Sequence, residues 1–398
     1  MRLSLQRLLP LFERERALHH PMVLATVVRT DGSTYTKPGA HLLLASDGKY
    51  AGLLSGGCFE ADLAEHGRAV LATGSAKLVR YDIRDANDPV FGLGSGCEDA
   101  MDILLQRLDA SGDWQPMTRL AAAWRAQRAA ALLLIVNSAD PAWPPGTAIF
   151  GDDGESVGAS AAAASRGDDD GRRAALTSLR ALAKRLSHEC STQLLPQAVP
   201  GIDVLALVQP RPVQILLLGA GPDAQPVAEL AAFLGWRVTV IDHRSYYVRV
   251  ERFPDAALVL DGGPSALTRL LTTPATRIMA PAGTPWDAAI IMSHHMTTDF
   301  EYLRAIARSD IPYVGLLGPH ARSQRLLTDL GAEVSRLGAR LRAPIGLDLG
   351  AVTPEAIALS IVAQIHAAIA GRDAISPFSQ KQASGWGNIH VTTGDRIT

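Results

Sequence analysis

The stretch ILLLGAGPDAQPVAELAAFLGWRVTVIDHR, residues 215–244, decides the fold. An apolar run enters Gly219-Ala220-Gly221, apolar positions then recur at helical spacing, and a second apolar run ends on Asp242. Strand, glycine turn, helix, strand and terminal acid make the dinucleotide-binding arrangement. Its glycines let backbone N–H groups approach a pyrophosphate at a helix N-terminus, and the acid takes a ribose hydroxyl. Gly219, Gly221 and Asp242 are therefore candidate cofactor-binding residues, and NAD(P) is a candidate ligand. Pro222 removes one N–H donor from the same turn.

Outward from this unit, strand-like runs at 213–218, 238–242, 258–261, 288–292 and 313–317 alternate with helical patterns. Such alternation builds a parallel sheet with right-handed crossovers. His294 and His295 come just after the 288–292 run, at the carboxyl end where open sheets build their sites. One reading makes a histidine an acid/base or a cofactor contact, with Asp299 placed to orient it; the other leaves both as exposed or capping residues.

The amino-terminal half opens with an amphipathic helix around residues 8–16, where Glu13, Arg14, Glu15 and Arg16 interrupt the apolar positions and argue against a secretory leader. A strand is expected over 22–28, and Asp47-Gly48 marks a hairpin. The sequence LLSGGCFE, residues 53–60, then sets Cys58 after Gly56 and Gly57 at a strand-to-helix junction. A helix N-terminus carries about half a positive charge and unsatisfied N–H donors. A thiol there becomes a better nucleophile, metal ligand or sulfur carrier. Equally, the glycines make a tight turn and Cys58 fills a small apolar gap. Glu60 and Asp62 compete for the same donors or cap them.

A second junction is expected at Gly94-Ser95-Gly96-Cys97, with a helix carrying Met101, Leu104, Leu105 and Leu108. The hairpin sequence SDGKYAGLLSGG (46–57) is echoed by DDGESVGASAAA (152–163), which lacks the Gly-Gly-Cys. Residues 158–173 read as a mobile low-complexity segment. The prolines of 194–212 read as a linker, with a domain boundary at 204/205.

The bulk numbers fit a two-domain α/β protein of 398 residues with 47% hydrophobic residues. A formal net charge of −2, from 38 Lys+Arg and 40 Asp+Glu, leaves no electrostatic footprint for nucleic acid or an anionic membrane. Three cysteines without a CxxC pair indicate neither a disulfide framework nor a zinc ribbon, so a reduced, cytoplasmic protein is expected.

Six segments taken together, 23–63, 91–97, 215–244, 292–305, 313–327 and 343–365, resemble the XdhC/CoxI family. The combination of GSTYTKPGA, SGGCFE and IGLDLGAVTPEAIALSI carries the resemblance. It implies an N-terminal XdhC-type α/β domain (1–204), a Rossmann-like domain (205–378) and a polar tail (379–398). It also implies a cytoplasmic, homodimeric chaperone, not an enzyme of substrate oxidation, that binds molybdenum cofactor (molybdopterin). Such a protein assists sulfuration by a cysteine desulfurase and delivers the cofactor to a xanthine dehydrogenase-type molybdoenzyme. Under that resemblance Gly56, Gly57, Cys58, Glu60, Cys97 and His294 become cofactor-binding candidates, with Cys58 the metal ligand. An NAD(P)-dependent oxidoreductase and a non-catalytic scaffold are the alternatives.

Overall fold

The structure, a computed structural model, describes residues 5–55, 60–82, 100–141, 143–151, 156–157, 170–186, 191–272 and 286–372. The chain divides into two compact units, Met1–Pro212 and Val213–Thr398.

In the first unit the elements are α1 (Leu9–Ala17), β1 (Met22–Asp31), β2 (His41–Ala45), β3 (Tyr50–Gly52), α2 (Glu60–Thr73), β4 (Lys77–Asp82) and β5 (Ala100–Leu108). Next come α3 (Met117–Arg125), β6 (Ala130–Ser138), β7 (Ala148–Phe150), β8 (Ser156–Val157), α4 (Asp170–Leu186), β9 (Gln193–Val199) and β10 (Ile202–Gln209). Two five-stranded sheets result, ordered β3-β2-β1-β5-β4 and β8-β7-β6-β10-β9.

The second sheet repeats the first strand for strand, as an internal duplication would, while the echo at 152–163 lies, apart from Ser156 and Val157, outside the described residues. Leu24 pairs with Leu43 and Leu132 with Phe150. Register slips at Val28 in the first copy and at Val136 in the second. Such bulges re-aim a strand at a fixed position. The inward faces of both sheets, with Phe12 of α1 and Leu120 of α3, share one core. Separate clusters pack the outer faces, with Leu63 of α2 over the first sheet and Leu179 of α4 over the second. Gly48, at φ +86, supplies the left-handed residue that closes the β2–β3 turn.

Three expectations change. Residues 100–108 form a central strand, not a helix: Leu104 and Leu108 face one core while Met101, Ile103 and Leu105 face the other. A strand buried on both faces reads as an unbroken apolar run, whose period does not separate it from a buried helix. The supposed linker at 194–212 is the β9–β10 hairpin, and 204/205 falls inside β10, so the division moves to 212/213. Pro196 is tolerated because β9 is an edge strand. Of the low-complexity segment 158–173, residues 170–173 open α4 and the rest lies outside the described residues, as does the tail at 379–398.

The second unit contains β11 (Gln214–Leu218), α5 (Ala224–Phe233), β12 (Arg237–Asp242), β13 (Leu258–Asp261), α6 (Gly263–Thr272), β14 (Ala288–Ile291), α7 (Met296–Ala307) and β15 (Val314–Leu316). It ends with α8 (His320–Leu330), the short α9 (Val334–Leu337), β16 (Leu341–Arg342) and α10 (Pro354–Ile369). All strand pairs are parallel, in the order β13-β12-β11-β14-β15-β16. That order reverses direction between β11 and β14, the switch point at which such sheets leave a crevice. Helices α5 and α10 cover one face; α6, α7 and α8 cover the other.

Candidate functional site

In the first unit the site is built around the start of α2. Glu60, 4% exposed, turns back on the strand before it: Oε1 accepts the N–H groups of Leu54 (3.3 Å) and Ser55 (3.2 Å), and Oε2 accepts the Ser55 hydroxyl (2.7 Å). Burial pushes this carboxyl up, but the Ser55 hydroxyl and the backbone N–H groups outweigh it, and the net shift is downward. The two ends of the Gly56-Gly57-Cys58-Phe59 segment are thus tied together through an ionised side chain. The segment itself lies outside the described residues. Close to the same helix start, Asp62 accepts a hydrogen bond from the Tyr81 hydroxyl, whose ionisation is strongly opposed by burial and by that carboxylate. Cys97 also lies outside the described residues, and strand β5, not a helix, begins at Ala100.

In the second unit Gly219, Gly221, Asp242 and His294 do come together, at the carboxyl ends of β11, β12 and β14. Gly219 has φ +132, and a Cβ there would stand 2.4 Å from the Met292 carbonyl oxygen, so only glycine lets the turn press against β14. The turn's donors are largely spent inside the protein. Gly219 N–H donates to Ile241 (2.8 Å), Ala224 N–H to Gly221 (3.1 Å), and Ala220 N–H to Oδ2 of Asp242 (2.6 Å).

Asp242 is fully buried and also accepts the N–H of Arg244 (2.8 Å) and its guanidinium (3.0 and 2.7 Å). Burial raises its pKa, yet the Arg244 and Ala220 hydrogen bonds win and hold it below the usual carboxylate range. The acid expected to take a ribose hydroxyl therefore braces the glycine turn.

Sequence reasoning misses Asp223, although it directly succeeds Gly221-Pro222. It stands at the start of α5, where a pyrophosphate would sit, and its Oδ2 lies 2.6 Å from Nε2 of His294. His294 is half exposed and holds a left-handed backbone, φ +61, a costly conformation for a non-glycine residue. The Asp223 hydrogen bond raises its pKa against the opposing effect of burial.

Behind it, Asp299 accepts the Ser293 hydroxyl (2.5 Å) and the Arg322 guanidinium (2.7 Å), so Asp299 holds the loop rather than either imidazole. The His295 ring packs 5.4 Å from that of His243, and its Nδ1 lies 2.9 Å from the Thr298 hydroxyl. His243 and Arg244, directly after β12, and Arg322, in the first turn of α8, are not singled out from the sequence. Among the described residues no group of three or more His, Cys, Asp or Glu is arranged to hold a metal ion.

Known proteins match along the same division. The XdhC and CoxI family matches residues 16–82, and the XdhC Rossmann domain matches residues 215–365. A relative from Bacillus subtilis, named as a probable xanthine dehydrogenase subunit, is 27% identical over 344 residues, covering 86% of this chain and 92% of that protein. The molybdenum cofactor insertion chaperone PaoD of Escherichia coli is 30% identical over 86 residues, which are 22% of this chain and 26% of PaoD. A solved structure described as a xanthine dehydrogenase, from Bacillus halodurans, superposes with a TM-score of 0.72 at 27% identity, covering 95% of this chain and 99% of that one.

Proposed function

Because the chain belongs to the XdhC/CoxI family, with an XdhC Rossmann domain in its second unit, we propose that it is an accessory chaperone that binds molybdenum cofactor and inserts it into a xanthine dehydrogenase-type molybdoenzyme. The likeness to PaoD and to the probable xanthine dehydrogenase subunit of Bacillus subtilis supports the class of cargo and client.

The observation that carries the reading is the Glu60 anchor. It ties Ser55 to Glu60, the first residue of α2, the two residues that flank in sequence the segment carrying Cys58. A thiolate at a helix start is a soft ligand for a sulfur-rich molybdenum centre, and the neighbouring N–H donors suit the pterin phosphate. In this reading the protein catalyses no substrate oxidation, works in the cytoplasm as a homodimer, and receives sulfur from a cysteine desulfurase. No helix among the described residues is long and apolar enough to cross a membrane, and the reading requires none.

The test is the molybdenum and molybdopterin content of protein purified from a cofactor-competent host, beside Cys58→Ala. Wild type should carry cofactor and the variant should lose most of it while staying folded. Equal content in both would remove Cys58 from the site.

A dinucleotide reading is favoured by one feature, the strand order around Gly219. Against it stand Asp223 at the phosphate position and the internally spent turn donors. Calorimetric titration with NAD(H) and NADP(H) decides, since saturable binding would establish it.

A further inference from the structure

The duplication of the first unit exposes a difference that points to a second ligand site. Helices α1 and α3 are equivalent: each has nine residues, and each ends through the same pair of backbone hydrogen bonds. His19 donates to Arg16 and His20 to Glu15 in one copy; Gln127 donates to Trp124 and Arg128 to Ala123 in the other. His19 and Gln127 even share the left-handed backbone, at φ 57 and φ 55. Residue by residue, Leu11 corresponds to Arg119, Glu15 to Ala123, His20 to Arg128 and Met22 to Ala130.

In the first copy this corner is filled. Leu11 and Met22 are buried, and the carboxylate of Glu15, 2% exposed, lies 2.6 Å from the Arg14 guanidinium and 3.0 Å from His20 Nδ1. In the second copy alanine stands at the Glu15 position, alanine at the Met22 position and arginine at the Leu11 position. A cavity of about 220 Å³ opens there, lined by Arg119, Arg128, Ala123, Ala131, Phe150 and Val208. The Arg119 guanidinium lies over the Phe150 ring at 4.2 Å. Arg128, on an exposed side chain, stands where the first copy has His20, the histidine that meets the Glu15 carboxylate. The second copy thus places a guanidinium at this corner and replaces the carboxylate facing it with open space. The alanine, valine and phenylalanine walls suit a short hydrocarbon.

We propose that this cavity binds a small organic carboxylate whose carboxyl group takes the place of the Glu15 carboxylate and pairs with Arg128. Guanidinium and carboxylate match in planar, charge-assisted geometry. The cavity, about 220 Å³, has room for a short-chain or benzoic acid.

Isothermal titration of the full chain with succinate and with benzoate, and with inorganic phosphate as the competing oxyanion, tests the assignment. One of the two carboxylates should saturate a single site. Arg128→Ala should weaken it at least ~tenfold, the loss expected for one charge-assisted pair. Ala123→Glu should abolish binding by restoring the internal carboxylate. If Ala123→Glu does not fold, the Arg128→Ala titration decides alone. No saturation by either carboxylate, saturation unchanged in Arg128→Ala, or phosphate binding more tightly than both acids would each overturn the proposal.

Discussion

Nε2 of His294 lies 2.6 Å from Oδ2 of Asp223, across the mouth of the glycine turn and on a backbone that glycine would hold more easily. The pair joins the end of β14 to the start of α5, the two sides of the switch-point crevice. Because the hydrogen bond raises the His294 pKa, the folded protein holds this proton more tightly than the unfolded chain does. Its contribution to stability is then complete below the unfolded histidine value of about 6.5 and is lost as pH rises through the higher folded value. A proton-detected titration should place the His294 midpoint above that of an unfolded histidine, and Asp223→Asn should lower it. A midpoint unmoved by Asp223→Asn would show that the pair does not form in solution.

The left-handed backbone of His294 makes a separate prediction. His294→Gly relieves a conformation that costs on the order of 1–3 kcal/mol in a non-glycine residue, and gives up one exposed ion pair worth about 0–1 kcal/mol. The variant should therefore be as stable as wild type or more so, by denaturant midpoint. A clear loss of stability would mean that the imidazole holds the loop and the strain is not real.

Gly219→Ala should do the opposite. The added Cβ would meet backbone at 2.4 Å, and φ +132 is closed to alanine, so neither the side chain nor the turn has anywhere to go. A loss of about 3 kcal/mol or more is expected in the second unit, seen as an early unfolding step of the full chain. An unchanged transition would contradict the close approach of the turn to β14.

What can be read from the sequence depends on which signals are local. The Rossmann half is legible because Gly219, Gly221 and Asp242 sit at fixed offsets around one turn, and each parallel strand is a short apolar run bounded by loop residues. Residues 100–108 are not legible, because Leu104 and Leu105 are both buried, on opposite faces of the strand, and the alternation between two cores is invisible in composition. The hairpin at 193–209 reads as a linker because Pro196 looks like punctuation unless the strand is known to lie at an edge. At the site itself, Asp223 is invisible for a different reason. Its role depends on His294, seventy-one positions away in sequence, and nothing in either neighbourhood announces the other. Asp242 stands out in the sequence, but its duty changes once Arg244 and Ala220 are seen on its carboxylate.

Glu60 separates bracing Leu54 and Ser55 from binding the cargo. Its folded pKa lies below the unfolded value, so its stabilising contribution is present above about pH 4.3–4.5 and disappears as pH falls through the folded value. Glu60→Gln keeps the shape and one acceptor oxygen but removes the charge that the Leu54 and Ser55 donors satisfy. At neutral pH the variant should lose about 1–3 kcal/mol, the range for a buried donor left poorly paired. Its stability difference from wild type should shrink toward zero in acid. If Cys58 binds molybdenum cofactor beside the Glu60 anchor, Glu60→Gln should bind the cofactor more weakly than wild type even under conditions where both are fully folded, whereas Cys58→Ala should lose cofactor with no change in acid stability. A Glu60→Gln protein that is destabilised as expected yet retains wild-type cofactor content would make Glu60 a structural brace only.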